Sequence, residues 1–202
     1  MAEDKTTFLV IVGVGIVAIA GLLLLISGSW PAISGYGTTA SGPLNVTIQG
    51  TLSVKLADSS ANFGSGYVDP AQTAAYVDSN GTYVNWINTT TFIADPMILE
   101  NDGQVVANVS IADDKNASAL IGGTNSALKY YTAENESSGT SCTVGQITAH
   151  TNLTTSASQI CDKLLYSDAT DSLKIYYDLK IPNDAVQGNK TTSITFTASA
   201  SV

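Results

Sequence analysis

Arginine is absent from this 202-residue chain, histidine occurs once and cysteine twice. The eight basic side chains are all lysine, and the formal net charge is -9. Because no basic stripe is available to neutralise phosphates, we expect no nucleic-acid partner. His150 is the sole candidate for a histidine-based metal site or a serine–histidine pair, and we interpret it as a loop or surface residue.

Charged residues are also scarce, at 12% of the chain. Ser, Thr, Asn, Gly and Ala take their place, which is typical of secreted and cell-surface proteins. The patterned β-branched and aromatic residues argue against disorder.

One long hydrophobic run stands near the N-terminus, with neither charge nor proline from Phe8 to Ile26. As a helix it would cover about 28 Å, which matches a bilayer core. The residues before it lack a basic region, so a retained signal anchor is favoured over a cleaved signal, although small residues after the run leave cleavage open. We predict a helix over residues 1–33, a flexible tether over 34–43 and an ectodomain over 44–202.

From residue 44 the pattern changes to strict alternation. Its apolar positions predict one long strand: Leu44, Val46, Ile48, Leu52, Val54 and Leu56.

Two hairpins are predicted from turn residues. Tyr76-Val77 and Thr82–Ile87 flank an Asn-Gly turn, and Met97–Leu99 and Gln104–Ile111 flank Asn101-Asp102-Gly103.

The rest of the chain is read as an excursion, a short helix and two strands. Residues 116–155 carry at most a short strand around Leu128–Tyr131, and the apolar spacing of Ser156–Leu165 indicates a helix. Alternation over Leu173–Ile181 and Ser193–Ser199 predicts the last strands. Strands at such spacing predict an all-β fold, an antiparallel sandwich of the jelly-roll or immunoglobulin-like type.

Asn-X-Ser/Thr sequons exceed the number that chance would supply. Because this motif accepts N-linked glycans, the excess indicates a glycosylated exterior, although abundant Asn, Ser and Thr also account for some. The eight candidate asparagines are Asn45, Asn80, Asn88, Asn108, Asn116, Asn135, Asn152 and Asn189.

The two cysteines, Cys142 and Cys161, are predicted to form a disulfide on the external side of the membrane. Two buried free thiols are the alternative.

Catalytic signals are weak. Ser126 and Lys129 have the spacing of some serine acyl-enzymes but lack the accompanying motifs. Asp113, Asp114 and Asn116 could offer oxygens to Ca²⁺, yet a solvated turn explains them as well. We therefore expect neither an enzyme nor a cofactor.

Two segments carry a resemblance to a known family: Pro96–Val105, and Ile175–Pro182 followed through Gly188 by Ile194–Ala198. They look like archaeal extracellular β-sandwich subunits akin to TasA-like fibre proteins and bundling pili. The resemblance implies a jelly-roll-like sandwich that polymerises when an N-terminal strand of one subunit completes the sheet of the next. It thereby makes the predicted strand over Leu44–Leu56 the candidate for donation to a neighbouring subunit. Archaeal type IV pilins, whose apolar helices bundle, are a second resemblance.

Two functional hypotheses follow. The first is a self-assembling subunit of a surface filament or pilus, held by strand donation or helix bundling. The second is a sandwich tethered through Phe8–Ile26 that presents loops such as 57–72 or 116–155 to glycans or other cells. Both place the chain at the cell surface or outside the cell, anchored in the membrane at least initially.

Overall fold

A computed structural model of the chain describes residues 50–91, 95–137 and 139–201. They belong to a compact unit over Ile48–Val202. The predicted helix over residues 1–33 and the tether over 34–43 lie outside the described residues. Within the described ranges, no helix has the length and apolar character needed to cross a membrane.

The regular structure of the described chain is mostly β-strand, in antiparallel sheets, as predicted. Its strands are β1 (Lys55–Asp58), β2 (Gly66–Val68), β3 (Ala74–Asp78), β4 (Tyr83–Val84), β5 (Trp86–Asn88), β6 (Met97–Glu100), β7 (Ala107–Asp113), β8 (Ala127–Glu134), β9 (Thr151–Asn152), β10 (Ser158–Leu164), β11 (Ser172–Pro182) and β12 (Ile194–Ala200). One short helix, α1 (Ala117–Leu120), begins at the N-cap Asn116.

Strand β11 is the centre of a seven-stranded sheet. On one side it pairs with β8 over eight residue pairs, and β8 continues to β9. On its other side β6 and β3 lie end to end, followed outward by β1 and β4. Between them, the buried Ser79 exchanges hydrogen bonds with Tyr177, so the ladder continues across the gap.

A second sheet has three strands in the order β10-β7-β12. Strand β7 alternates buried and half-buried residues along its whole length, because one of its faces lies on the core. The two sheets share one hydrophobic core, as a β-sandwich requires. Its largest fully buried apolar side chains are Leu99, Leu173, Ile175, Val77 and Tyr130 from the large sheet, and Val109, Ile111, Ile160 and Leu164 from the small one.

The predicted disulfide between Cys142 and Cys161 is present, with Cα atoms 5.8 Å apart and both residues buried. It attaches residues 141–147 to the outer edge of β10. Backbone hydrogen bonds continue the attachment, from Asp162 N–H to the Val144 carbonyl (2.8 Å) and from Leu165 N–H to the Ser141 carbonyl (2.9 Å).

The first predicted hairpin is confirmed. Strands β3 and β4 pair across the turn at Asn80-Gly81, where Gly81 takes a φ of 95° that favours glycine. The predicted strand over Thr82–Ile87 is not continuous, however. Asn85 adopts a left-handed φ of 57°, so the chain leaves β3, and β5 pairs with β2 instead.

The second predicted hairpin is wrong. Strands β6 and β7 belong to different sheets, and Asn101-Asp102-Gly103 carries the chain from one sheet to the other. The fully buried Asn101 directs this crossing, because its amide donates to the carbonyls of Val105 (2.9 Å) and Leu164 (3.1 Å).

The helix predicted over Ser156–Leu165 is also wrong, since β10 occupies that segment. Two irregularities in its register with β7 shift the inward positions, so Ile160, Cys161 and Leu164 are buried at a spacing that imitates a helix. The excursion over residues 116–155 holds more than a short strand, because β8 is eight residues long and fills one side of β11.

Candidate functional site

The outer face of the seven-stranded sheet carries a cluster of aromatic and acidic side chains. The register places Tyr131 of β8 opposite Tyr176 of β11, and Asp178 of β11 opposite Asp78 of β3. Their inward neighbours Tyr130 and Tyr177 are buried in the core, so the alternation of the strands turns these four side chains outward. We call Asp78, Tyr131, His150, Tyr176 and Asp178 the outer patch.

Tyr131 is the centre of the outer patch. Its ring stacks on Tyr176 with centroids 5.0 Å apart, and it contacts the His150 ring in a tilted arrangement with centroids 4.5 Å apart. Its hydroxyl accepts a hydrogen bond from Asn80 Nδ2 (2.9 Å) and lies 3.4 Å from Asp78 Oδ1. The ring is thus held in one orientation at both ends.

The carboxylates of the outer patch have different surroundings. Burial, together with the neighbouring charge of Asp178, raises the pKa of Asp78. The hydrogen bond that Asp78 accepts from the Asn80 N–H opposes this shift. Burial also raises the pKa of Tyr131 to about 12, so this hydroxyl is neutral at physiological pH. Asp178 Oδ2 lies 3.2 Å from His150 Nδ1, which fixes the imidazole against the sheet.

A shallow open depression of about 160 Å³ lies beside these groups. Its lining combines exposed tyrosines with carboxylates: Tyr76, Val77, Asp78, Thr82, Tyr83, Val84, His150 and Asp178. The aspartate–histidine pair lacks the third member of a hydrolytic triad, since no serine or threonine hydroxyl in the described ranges hydrogen-bonds to the imidazole. The exposed rings and carboxylates of this depression are the groups available for contact with a ligand or a partner.

A second candidate site is the outer edge of β12. Strand β12 pairs with β7 on one side, and no strand of the described chain pairs with its other side. At the two ends of the β12–β7 ladder, the Ser201 N–H donates to the Val106 carbonyl and the Asp114 N–H donates to the Ser193 carbonyl. Because hydrogen-bonded pairs alternate in an antiparallel ladder, the backbone groups of alternate residues point away from β7. We call this row the open edge; its members are Ile194, Phe196, Ala198 and Ala200.

Apolar side chains lie beside the open edge. Ile194, Phe196 and Ala198 face the core but are only half-buried, whereas their partners on β7 are fully buried. The described strands therefore leave the sandwich incompletely covered at this edge. An unpaired backbone row beside half-exposed apolar groups is the kind of surface on which another strand docks.

The predicted donor strand is only partly described. Leu44, Val46 and Ile48 lie outside the described residues, and residues 50–54 are not in a strand. The strand β1 begins at Lys55 and pairs with β6. Val54 and Leu56 pack against the core of their own chain, while Leu52 is exposed.

No protein family, curated protein or solved structure matches this chain. Its function has to be argued from its own surfaces.

The weaker sequence candidates have structural roles. Lys129 lies in β8, so no helical turn brings it to the Ser126 hydroxyl. Asp113 and Asp114 both accept a hydrogen bond from the Thr192 hydroxyl, which fixes the start of β12. The described residues contain no group of three or more His, Cys, Asp or Glu side chains arranged to hold a metal ion.

Neither surface was identified from the sequence as a site. Alternation in β11 predicts which side chains face outward, but the pairing that brings Tyr131, Asp78 and His150 to Tyr176 is a property of the sheet order. The open edge likewise depends on β12 being the last strand of the small sheet.

Proposed function

We propose that this chain is a structural subunit of an archaeal cell-surface filament or pilus, in which a strand from one subunit completes the sandwich of the next. The observation that carries the proposal is the open edge of β12. The donated segment is residues 44–49, whose Leu44, Val46 and Ile48 alternate with polar residues.

Complementarity between the two partners supports this assembly. A six-residue strand extends over about 20 Å, close to the length of the seven-residue β12. An apolar row on the donated strand would cover the half-buried Ile194, Phe196 and Ala198. The outward backbone groups of the open edge would at the same time gain partners.

The position of Gly50 supports exchange between copies. An added Cβ at Gly50 would come within 2.3 Å of Val105 Cγ1. Ser201, the residue after β12, donates its N–H to the carbonyl of the adjacent Val106. Residues 44–49 thus join the described chain near one end of the open edge. A segment that could reach its own edge can be exchanged with a neighbour at low energetic cost.

The proposal also includes a role for the N-terminal hydrophobic run and a type of sandwich. The N-terminal run Phe8–Ile26 inserts the subunit in the membrane before assembly, and bundling of these helices is a further mode of association. The sandwich is of the jelly-roll or immunoglobulin-like type and lies outside the cell.

The test compares two charge substitutions in the donated segment of the full-length protein. Ile48→Asp places a carboxylate on the apolar row and should abolish filaments seen by negative-stain microscopy. Gln49→Asp adds the same charge on the opposite face and should leave them intact. Filaments unaffected by Ile48→Asp, or a wild-type protein that stays monomeric at high concentration, would contradict the proposal.

A crosslinking experiment separates donation from closure within one chain. Ile48→Cys is combined in turn with Phe196→Cys or Ala198→Cys. Each double variant is oxidised and then separated by denaturing electrophoresis. Donation yields a ladder of covalent multimers. A segment that returns to its own edge yields a crosslinked monomer.

A membrane-tethered adhesion or binding module is the second candidate, and the outer patch favours it. Stacked tyrosines flanked by carboxylates and an imidazole are the groups that contact sugar rings. Binding to an immobilised glycan panel tests it with Tyr176→Ala, which removes one face of the stack. Tyr166→Ala, an exposed tyrosine outside the patch, is the matched control.

A further inference from the structure

The described sequon asparagines fall into two classes: in one the side-chain amide is hydrogen-bonded or partly enclosed, and in the other it is exposed and its nitrogen is not engaged. Glycan attachment requires that Nδ2 projects into solvent, because the sugar is bulky and strongly hydrated. Seven of the eight sequons lie in the described ranges, and Asn45 does not.

In four of these sequons the amide is engaged or enclosed. Asn135 Nδ2 donates to the Ser172 hydroxyl (2.8 Å), and Asn80 Nδ2 donates to Tyr131 (2.9 Å). Asn88 is half-buried, with an enclosed amide oxygen. Asn108 lies in the central strand β7, with its amide between Asp162 and Ser201. A glycan at Asn80, Asn108 or Asn135 would displace these contacts, and at Asn88 it would have to leave a half-buried position.

The other three, Asn116, Asn152 and Asn189, are exposed, and no hydrogen bond within the described chain uses their Nδ2 atoms. Two hydrogen bonds bring them to one end of the sandwich. Asn116 follows Lys115, whose ammonium bonds the Thr191 carbonyl two residues beyond Asn189. Thr154, two residues beyond Asn152, accepts from Asp113 N–H. All three thus surround residues 113–115, the end that we call the Asp113 pole.

Asn80 and Asn116 form a matched pair within the chain. Both are exposed, and in both the sequon hydroxyl bonds the asparagine Oδ1, from Thr82 at 2.7 Å and from Ser118 at 2.9 Å. They differ in Nδ2, which Tyr131 holds at Asn80. Exposure alone predicts modification at both positions, whereas engagement of the nitrogen predicts it only at Asn116.

We infer that N-linked glycans occupy Asn116, Asn152 and Asn189 and leave Asn80, Asn88, Asn108 and Asn135 unmodified, so that the Asp113 pole alone is glycosylated among the described sequons. The inference rests on the exterior location in the proposed function. The opposite end, where Gly50 lies beside Val105 and Ser201 bonds Val106, is about 20 Å away along β7 and stays bare.

Glycopeptide mass spectrometry of the full-length protein from native cells tests this, with occupancy measured at each sequon. Most copies should carry glycan at the three sites of the Asp113 pole and few at the other four described sites. Tyr131→Phe releases Asn80 Nδ2 and should raise occupancy at Asn80 several-fold without changing Asn116. The wild-type pattern decides the question even if that variant is not recovered.

Two results would overturn the inference. The first is similar occupancy at all the described sequons, which would mean that glycans are added without regard to the folded surface. The second is an unmodified protein. Microscopy of the same preparation separates this failure from failure of the proposed function, because bare filaments would reject the glycans alone, whereas glycosylated monomers would reject the assembly alone.

Discussion

The two edges of the small sheet are protected in different ways. The β10 edge is covered by residues 141–147, which the Cys142–Cys161 disulfide and several backbone hydrogen bonds hold in place. The β12 edge has no covering strand in the described chain. An unpaired edge invites pairing with other chains, and folded proteins usually block it. One edge of this sandwich is closed covalently, and under the proposed function association is directed to the other.

The largest expected effect distinguishes two sets of backbone N–H groups in β12: those that bond β7 and those of the open edge. Thr197→Pro removes an N–H that bonds β7 and leaves the facing carbonyl without its donor, so it should lower the free energy of unfolding by about 3 kcal/mol, the upper end of the cost of such a loss. Ala198→Pro removes an N–H of the open edge, so it should leave a folded subunit that no longer assembles. Urea unfolding and electron microscopy check the pair. Equal destabilisation would show that the assignment of the open edge is incorrect.

Opening the covered edge should have an effect of similar size. Loss of the disulfide, by reduction or in Cys142→Ser/Cys161→Ser, should lower the free energy of unfolding by about 3 kcal/mol, because the bridge closes a loop of 19 positions. The freed β10 edge should then cause irregular aggregation. Light scattering with and without reductant measures this. The double variant serves as the control, since reductant should not change it further.

The third prediction concerns Asn101, which ties the end of β10 to the crossing between sheets. Asn101→Ala leaves the carbonyls of Val105 and Leu164 without their donor and should cost about 2 to 3 kcal/mol. Asn183→Ala removes a comparable amide–carbonyl bond to Gln72 at the surface and should cost under about 1 kcal/mol. Thermal and urea unfolding compare them. Equal losses would refute the role of the buried amide.

The smallest effect on stability comes from a single lysine. Ala200→Lys on the open edge and Gln159→Lys on the covered strand replace exposed residues, so each should change the free energy of unfolding by less than about 0.5 kcal/mol. Only Ala200→Lys should slow filament growth, because edge charges oppose strand docking. The rate of growth is followed by turbidity, and equal slowing by both would point to net charge rather than to the edge.

The sequence predicted those features that depend on neighbouring residues. The turn at Asn80-Gly81 joins strands that pair directly, so its local chemistry was sufficient. The turn at Asn101 has similar chemistry, but its amide reaches Leu164 at a separation of 63 positions, which no local pattern reveals. The disulfide was predictable because the chain holds only two cysteines.

Irregular strand register and sheet order account for the features that the sequence did not predict. The register shifts of β10 place Ile160 and Leu164 four positions apart on the core, as a helix would. The outer patch needs β3, β8 and β11 side by side, together with the loop that carries His150. Alternation predicts the face of each strand, yet it contains no information on which strand lies next.

Thr51 and Ser201 are both hydrogen-bonded to the segment that connects β6 to β7. This has a mechanical consequence. Gln104 N–H donates to the Thr51 carbonyl (2.7 Å), and Ser201 N–H donates to the Val106 carbonyl (2.8 Å). In a filament joined through residues 44–49 and β12, tension would enter each subunit at Gly50 and leave along β12. The load path would then run through residues 104–106 and largely bypass the hydrophobic interior, so a stretched filament could transmit force while its domains stay folded.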